Sequence, residues 1–147
     1  MQLELPDPNY RAAVLTAFEK AAFVSNVGII PTDCGPGWCE ATLQIEPRHL
    51  QQTGVVHAGV QTTIADHTAG AAAGSLIREG EAIVTVEFKM HLLRPAKGES
   101  LWCRGQVLKP GKTFHIVESE VYAVSDGKKT LVSKLSGTMA VLRKTER

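Results

Sequence analysis

Aromatic residues make up only 5% of the 147-residue chain, so a platform of exposed rings for stacking on bases is not expected. Charge of one sign is equally scarce, since 16 Lys and Arg against 15 Asp and Glu leave a formal net charge of +1. A polyanion binder carries a basic excess, which removes nucleic acid from the expected partners. Cysteine occurs three times, at Cys34, Cys39 and Cys103, and an odd count does not make a paired disulfide framework. No apolar run approaches the ~20 residues needed to cross a bilayer. The first ten residues carry acids and two prolines where a signal peptide has a basic start and an apolar stretch. These absences predict a soluble, cytoplasmic protein with no membrane partner. The 44% of apolar residues supply one hydrophobic core, and a single domain over 1–147 is expected.

Periodicity places the elements. Asp7 and Pro8 read as N-cap and first position of a helix, and Val14, Phe18, Ala21 and Ala22 recur at helical spacing. A helical segment over 1–22 follows. A short strand at 27–30 is closed by Pro31, and 34–37 is a turn. Cys39, Ala41, Leu43 and Ile45 alternate with Glu40, Thr42, Gln44 and Glu46, the signature of a half-buried strand ended by Pro47. Residues 57–78 are dense in alanine, contain Gly59, Gly70 and Gly74, and lack proline. That length argues helix, although each glycine costs about 1 kcal/mol against alanine. Small residues on most of its sides suit a buried central helix. Beyond it, Val84, Val86, Phe88, Met90 and Leu92 alternate with Thr85, Glu87, Lys89 and His91. Strands over 101–109, 114–124 and 130–142 complete the set, with Asp126-Gly127 as a hairpin turn. An α+β protein results, with an antiparallel sheet and one long apolar helix lying on it.

Several catalytic signatures are missing: G-x-S-x-G, H-E-x-x-H and paired C-x-x-C do not occur, and no metal ligands are expected. The stretch from Gly105 to Thr113 resembles a phosphate loop, but its glycines stand six apart instead of five and it leads into a strand. It reads as a hairpin turn.

The chemically informative stretch runs from Gln51 to Gly59 and on to Asp66. A glycine-containing loop leads straight into the central helix, whose first turn offers the N–H groups of Ala58 and Gly59 at the positive end of the helix dipole. That arrangement suits a developing oxyanion. Asp66 sits two turns further along an otherwise apolar helix, where a carboxylate is costly unless it is paired or functional. The plainer alternative for Asp66 is a solvated position on an outward face, and for His57 a capping or packing role. His67 points about 100° away from Asp66 and reads as structural. Ala58 and Asp66 are eight residues apart, about 12 Å along one helix. They cannot both meet one reacting carbon at about 3 Å. If both act, they come from two subunits whose helices run antiparallel across a two-fold axis.

With these residues in place, the sequence resembles the hotdog-fold thioesterases, in particular their PaaI-like, phenylacetate-degradation branch. That pattern runs Asn or Gln, a Gly, His-Gly-Gly, and an acidic residue nine positions after the His. Here Gln51 precedes His57 by six positions and Asp66 follows it by nine. Thr85-Val86-Glu87-Phe88 and the turn Pro95-Ala96-Lys97-Gly98 are similar to later parts of the family, and the likeness spans roughly 12–142. The resemblance implies the hotdog fold, a sheet wrapped around one central helix, and hydrolysis of an acyl-CoA or aryl-CoA. It implies no cofactor other than the coenzyme A carried by the substrate. It also implies a homodimer as the minimal active unit, assembled further into a homotetramer. By position, Asp66 is implied as nucleophile or general base and the Ala58 N–H as oxyanion donor. Gln51 is implied as a contact to the carbonyl or the attacking water, His57 as support for the loop, and Thr85 as a hydroxyl orienting the water. Gly59 is assigned to substrate binding. Arg94 and Lys97, with Lys109 and Lys112, are basic residues at turns suited to coenzyme A phosphates. Ala58 departs from the family's first glycine, yet a backbone donor survives that change where φ is negative. Two alternatives stay open: a hotdog enoyl-thioester hydratase or dehydratase, and a non-enzymatic acyl-CoA-binding protein.

Overall fold

Small side chains decide how the longest helix sits. The computed structural model describes residues 6–143, and in it α3 (Ala58–Gly74) buries Ile64, Ala65, Thr68, Ala69, Ala72 and Ala73. Two short helices, α1 (Tyr10–Lys20) and α2 (Ala22–Val27), come first. The strands are β1 (Ile29–Gly35), β2 (Trp38–Gln44), β3 (Glu81–Leu92), β4 (Ser100–Lys109), β5 (Phe114–Ser125) and β6 (Lys128–Arg143). They form one antiparallel sheet in the order β1-β2-β4-β5-β6-β3. α3 therefore carries the chain from β2 across the sheet to its far edge, packing on β2, β4 and β5 on the way. α1 packs against α3 and buries Val14 and Phe18. Among the described residues no helix is long and apolar enough to cross a membrane.

The close approach of α3 to the sheet has a definite requirement. A Cβ on Gly105 of β4 would stand 2.8 Å from backbone atoms of Thr68 and Ala69. Gly105→Ala is expected to push helix and sheet apart and to destabilise the protein by roughly 1–3 kcal/mol, the usual cost of overpacking. The check is a urea titration, in which the midpoint falls while the slope stays constant.

Four boundaries differ from the sequence reading, each for a local reason. Asp7 does not cap the first helix. Its Oδ1 accepts the Asn9 N–H at 2.8 Å, so the turn it builds precedes a helix that starts only at Tyr10. The part of the expected 1–22 segment before residue 6 lies outside the described residues, and a second helix, α2, extends the helical run to Val27. β1 is not closed by Pro31 but continues to Gly35. As an edge strand with an irregularity between Pro31 and Asp33, it tolerates a missing N–H. α3 stops at Gly74 instead of 78, where the Ser75 hydroxyl donates to the Ala72 carbonyl at 2.7 Å and accepts the Gly37 N–H at 2.7 Å.

A further difference, inside a strand, matters most for chemistry. β3 carries a bulge between Thr85 and Glu87 against β6. Thr85 pairs with Met139, and Phe88, three residues on, pairs with Gly137. Met139 and Gly137 both belong to the buried, helix-facing side of β6. The bulge thus splits the apparent alternation: Val84 faces outward with Ala140, while Thr85 joins Phe88 and Met90 on the side of α3.

Candidate active site

The loop before α3 is held by its own backbone. The Gln51 N–H donates to the Val55 carbonyl at 2.8 Å, the Gly54 N–H donates back to the Gln51 carbonyl at 2.9 Å, and Gly54 takes a φ of 80° that favours glycine. The Val56 and His57 N–H groups then bond to the carbonyls of Ala96 and His49. This aims the chain into the helix with His57 as its N-cap: the ring Nδ1 accepts the Gly59 N–H at 2.8 Å. Of the two donors expected here, Gly59 is therefore already engaged. The Ala58 N–H has no partner among the described residues. The Gln51 amide donates to Thr53 Oγ1.

Gln51, Ala58, Leu92 and Arg94 line one cleft of about 400 Å³. Arg94 is fastened at its edge by a bond from Nη1 to the Leu131 carbonyl at 2.9 Å. Lys97 is exposed and lines neither this cleft nor the next.

Asp66 and Thr85 meet elsewhere. The Thr85 hydroxyl donates to Asp66 Oδ1 at 2.8 Å, a contact that exists because the β3 bulge turns Thr85 toward the helix. Asp66 Oδ2 has no hydrogen-bond partner among the described residues. The two residues lie in a second cleft, of about 370 Å³, with Ala13, Ala17, His67 and Ile83 among its walls. Within one chain the expected oxyanion donor and the expected acid thus occupy different clefts, as the eight-residue spacing requires.

His67 meets the ring of Phe18 edge-on at a centroid distance of 4.5 Å. Burial pushes its pKa below the ordinary histidine value, against the opposing pull of Asp66. His115 on β5 is pushed down by burial in the same way. Unfolding returns both rings to about 6.5. Between the depressed folded values and that figure the unfolded chain holds more protons, so stability rises with pH across the window. Lowering pH from 7.5 to 5.5 is expected to reduce the urea midpoint, and His115→Gln is expected to flatten the dependence. Burial also raises the thiols of Cys39 and Cys103 to about 12, so neither supplies a thiolate near neutral pH.

Reasoning from sequence missed the contribution of α1. Ala13 and Ala17, four residues apart on one helical face, leave the space beside Asp66 open. That pair of small residues was the available signal.

A six-stranded antiparallel sheet packed on one long helix, with a loop feeding the helix N-terminus and a carboxylate two turns along it, defines a hotdog-fold protein. The chain belongs to the thioesterase superfamily, whose family model matches residues 53–130. The proofreading thioesterase EntH of Klebsiella pneumoniae is 30% identical over 111 residues, covering 75% of this chain and 80% of that one. The crystal structure of a thioesterase family protein from Silicibacter pomeroyi superposes with a TM-score of 0.90 at 32% identity, over 92% of this chain and 99% of the other. The E. coli PaaI protein from the phenylacetic acid degradation operon has a TM-score of 0.83 over 97% of this chain and 99% of its own. At 21% identity that likeness is one of fold. The protein is a thioester hydrolase.

Proposed function

We propose that the protein hydrolyses acyl-CoA thioesters at two equivalent sites, each built from both subunits of a homodimer. The observation that carries this reading is the division of the machinery: the free Ala58 N–H and the Thr85-bonded Asp66 lie in different clefts of one chain. Antiparallel pairing of two copies of α3 across a two-fold axis brings each Ala58 toward the other chain's Asp66.

The sheet offers an edge for that pairing. β3 is a twelve-residue edge strand with Val84 44%, Val86 54% and Phe88 38% exposed, a long apolar edge of the kind that recruits another strand. β1, the other edge, carries Pro31 and an irregularity and packs against α1. Phe114, Ile116 and Leu142 are exposed on the outer face of the sheet, which supports a second dimer packing there to give a homotetramer.

In the proposed reaction the thioester carbonyl accepts the Ala58 N–H, which stabilises the oxyanion as it forms. Asp66 of the facing subunit either takes a proton from the attacking water or attacks the carbonyl carbon itself, while Thr85 fixes the carboxylate. The C–S bond breaks and the thiolate takes up the proton released from water. On the nucleophilic route water then cleaves the anhydride left on Asp66, so both routes end in a carboxylic acid and the coenzyme A thiol. Gln51 contacts the carbonyl or the water, His57 holds the loop, and Gly59 backs the donor. Arg94 and Lys97 supply charge for the coenzyme A phosphates, and no further cofactor enters.

A thiol-release assay against aryl, short-chain and long-chain acyl-CoAs tests the reading. Hydrolysis of at least one class is the expected result. No thiol release from any of them, together with hydration of crotonyl-CoA read by its ultraviolet absorbance, would replace hydrolysis by hydratase chemistry.

A further inference from the structure

A third cavity, of about 210 Å³, lies between the end of α3 and the β4–β5 turn. Three cationic side chains line it: Arg78 just beyond α3, Lys112 in the turn and Arg143 at the end of β6. Arg143 Nε pairs with Glu81 Oε1 at 3.2 Å, and its Nη2 donates to the Lys112 carbonyl at 3.0 Å, which fixes the guanidinium at the rim. Glu81 is the carboxylate of the lining, and its Oε2 is engaged by the Arg78 N–H at 2.9 Å. Among the described residues the Arg78 and Lys112 side chains make no ion pair. Three positive groups against one carboxylate leave a surplus of two.

His115 of β5 bounds this cavity. It is 3% exposed, and its Nδ1 is enclosed without a hydrogen-bond partner among the described residues. The occupant that suits the three cations bears negative charge, and it lies against the His115 ring that bounds the cavity. A cation meets the positive surplus and is repelled. A phosphate group has several oxygens to share among separate donors on Arg78, Lys112 and Arg143. At about 210 Å³ the cavity has room for a phosphate group.

We propose that this cavity is a phosphate-binding site formed by Arg78, Lys112 and Arg143 around the buried His115. Its occupant is a free phosphate or phosphate monoester, or the phosphate of a coenzyme A substrate. The second source rests on the acyl-CoA reading above. It has a route, because Ile77 and Glu81 line both this cavity and the cleft of Asp66.

The experiment follows the His115 Cε1–H resonance by NMR as sodium phosphate is added, with sodium chloride at matched ionic strength as control. Phosphate is expected to shift the resonance saturably and to raise the titration midpoint of His115. Glu81, Arg78, Lys112 and Arg143 are the charged groups facing that ring. Arg78→Gln and Lys112→Gln, both at exposed positions, are each expected to weaken phosphate binding at least about tenfold. Displacement of phosphate by coenzyme A and not by dephospho-coenzyme A assigns the site to the substrate. Displacement by neither assigns it to a free phosphate compound. A resonance that phosphate leaves unmoved, an equal response to chloride, or full affinity in both variants overturns the proposal. Thiol release plays no part in these readouts, so loss of the acyl-CoA reading and loss of the phosphate site remain separate results.

Discussion

Asp66→Asn is expected to lower kcat for thioester hydrolysis by at least about 10²-fold, the lower end of what a positioned acid or base contributes. The amide keeps the size of the carboxylate and can still accept the Thr85 hydroxyl that now sits 2.8 Å from Oδ1. What it loses is the charge and the ability to take a proton or attack a carbonyl. Because the change removes an interaction made in the transition state, KM should stay close to its wild-type value. Thr85→Val is expected to have a smaller effect, since it frees the carboxylate without removing it. Single-turnover hydrolysis in ¹⁸O water separates the two roles of Asp66. Label found in the enzyme's carboxylate after turnover marks nucleophilic attack, and label confined to the product acid with no anhydride trapped by hydroxylamine marks general-base catalysis. Activity in Asp66→Asn within a few-fold of wild type would remove Asp66 from the mechanism.

The order of elements was legible in the sequence because each carries a strong local pattern. The alternation from Cys39 to Ile45 and the alanine-dense run after His57 each have one physical reading, and the structure places a strand and a helix there. His57 as a cap is equally local, since an N-cap bonds the backbone two residues on. Less legible were features set by a distant partner. The β3 bulge is defined only against β6, so Thr85 reads in sequence as the outward neighbour of an apolar face, although its hydroxyl meets Asp66. The end of α3 depends on Ser75 receiving an N–H from Gly37, 38 residues away. The engagement of Gly59 by His57 leaves Ala58 as the free donor, a distinction that requires coordinates. The cluster of Arg78, Lys112, His115 and Arg143 comes from three separate stretches of chain, and no spacing rule gathers them.

Mixing experiments read the proposed sharing of the site between two subunits directly. Ala58 is the first residue of α3, a position where proline is favoured because its N–H lies outside the helical ladder. His57 before it already holds the extended conformation, φ −60° and ψ 141°, that a following proline demands. Ala58→Pro therefore deletes the proposed oxyanion donor with little disturbance to the helix, and should lower kcat by about 10²–10³-fold. Asp66→Asn deletes the other half. Co-expressed in equal amounts, the two inactive chains form mixed dimers in about half of the population. Each mixed dimer has one site with both defects and one with neither, so about a quarter of wild-type activity should return. The converse mixture sharpens the test. Wild type co-expressed with the double variant leaves both sites of every mixed dimer broken, so activity should fall to about a quarter of the all-wild-type value. A site contained within one chain predicts about half for that mixture and nothing for the first. Those two values, with mass spectrometry confirming equal incorporation, would place donor and acid in the same subunit.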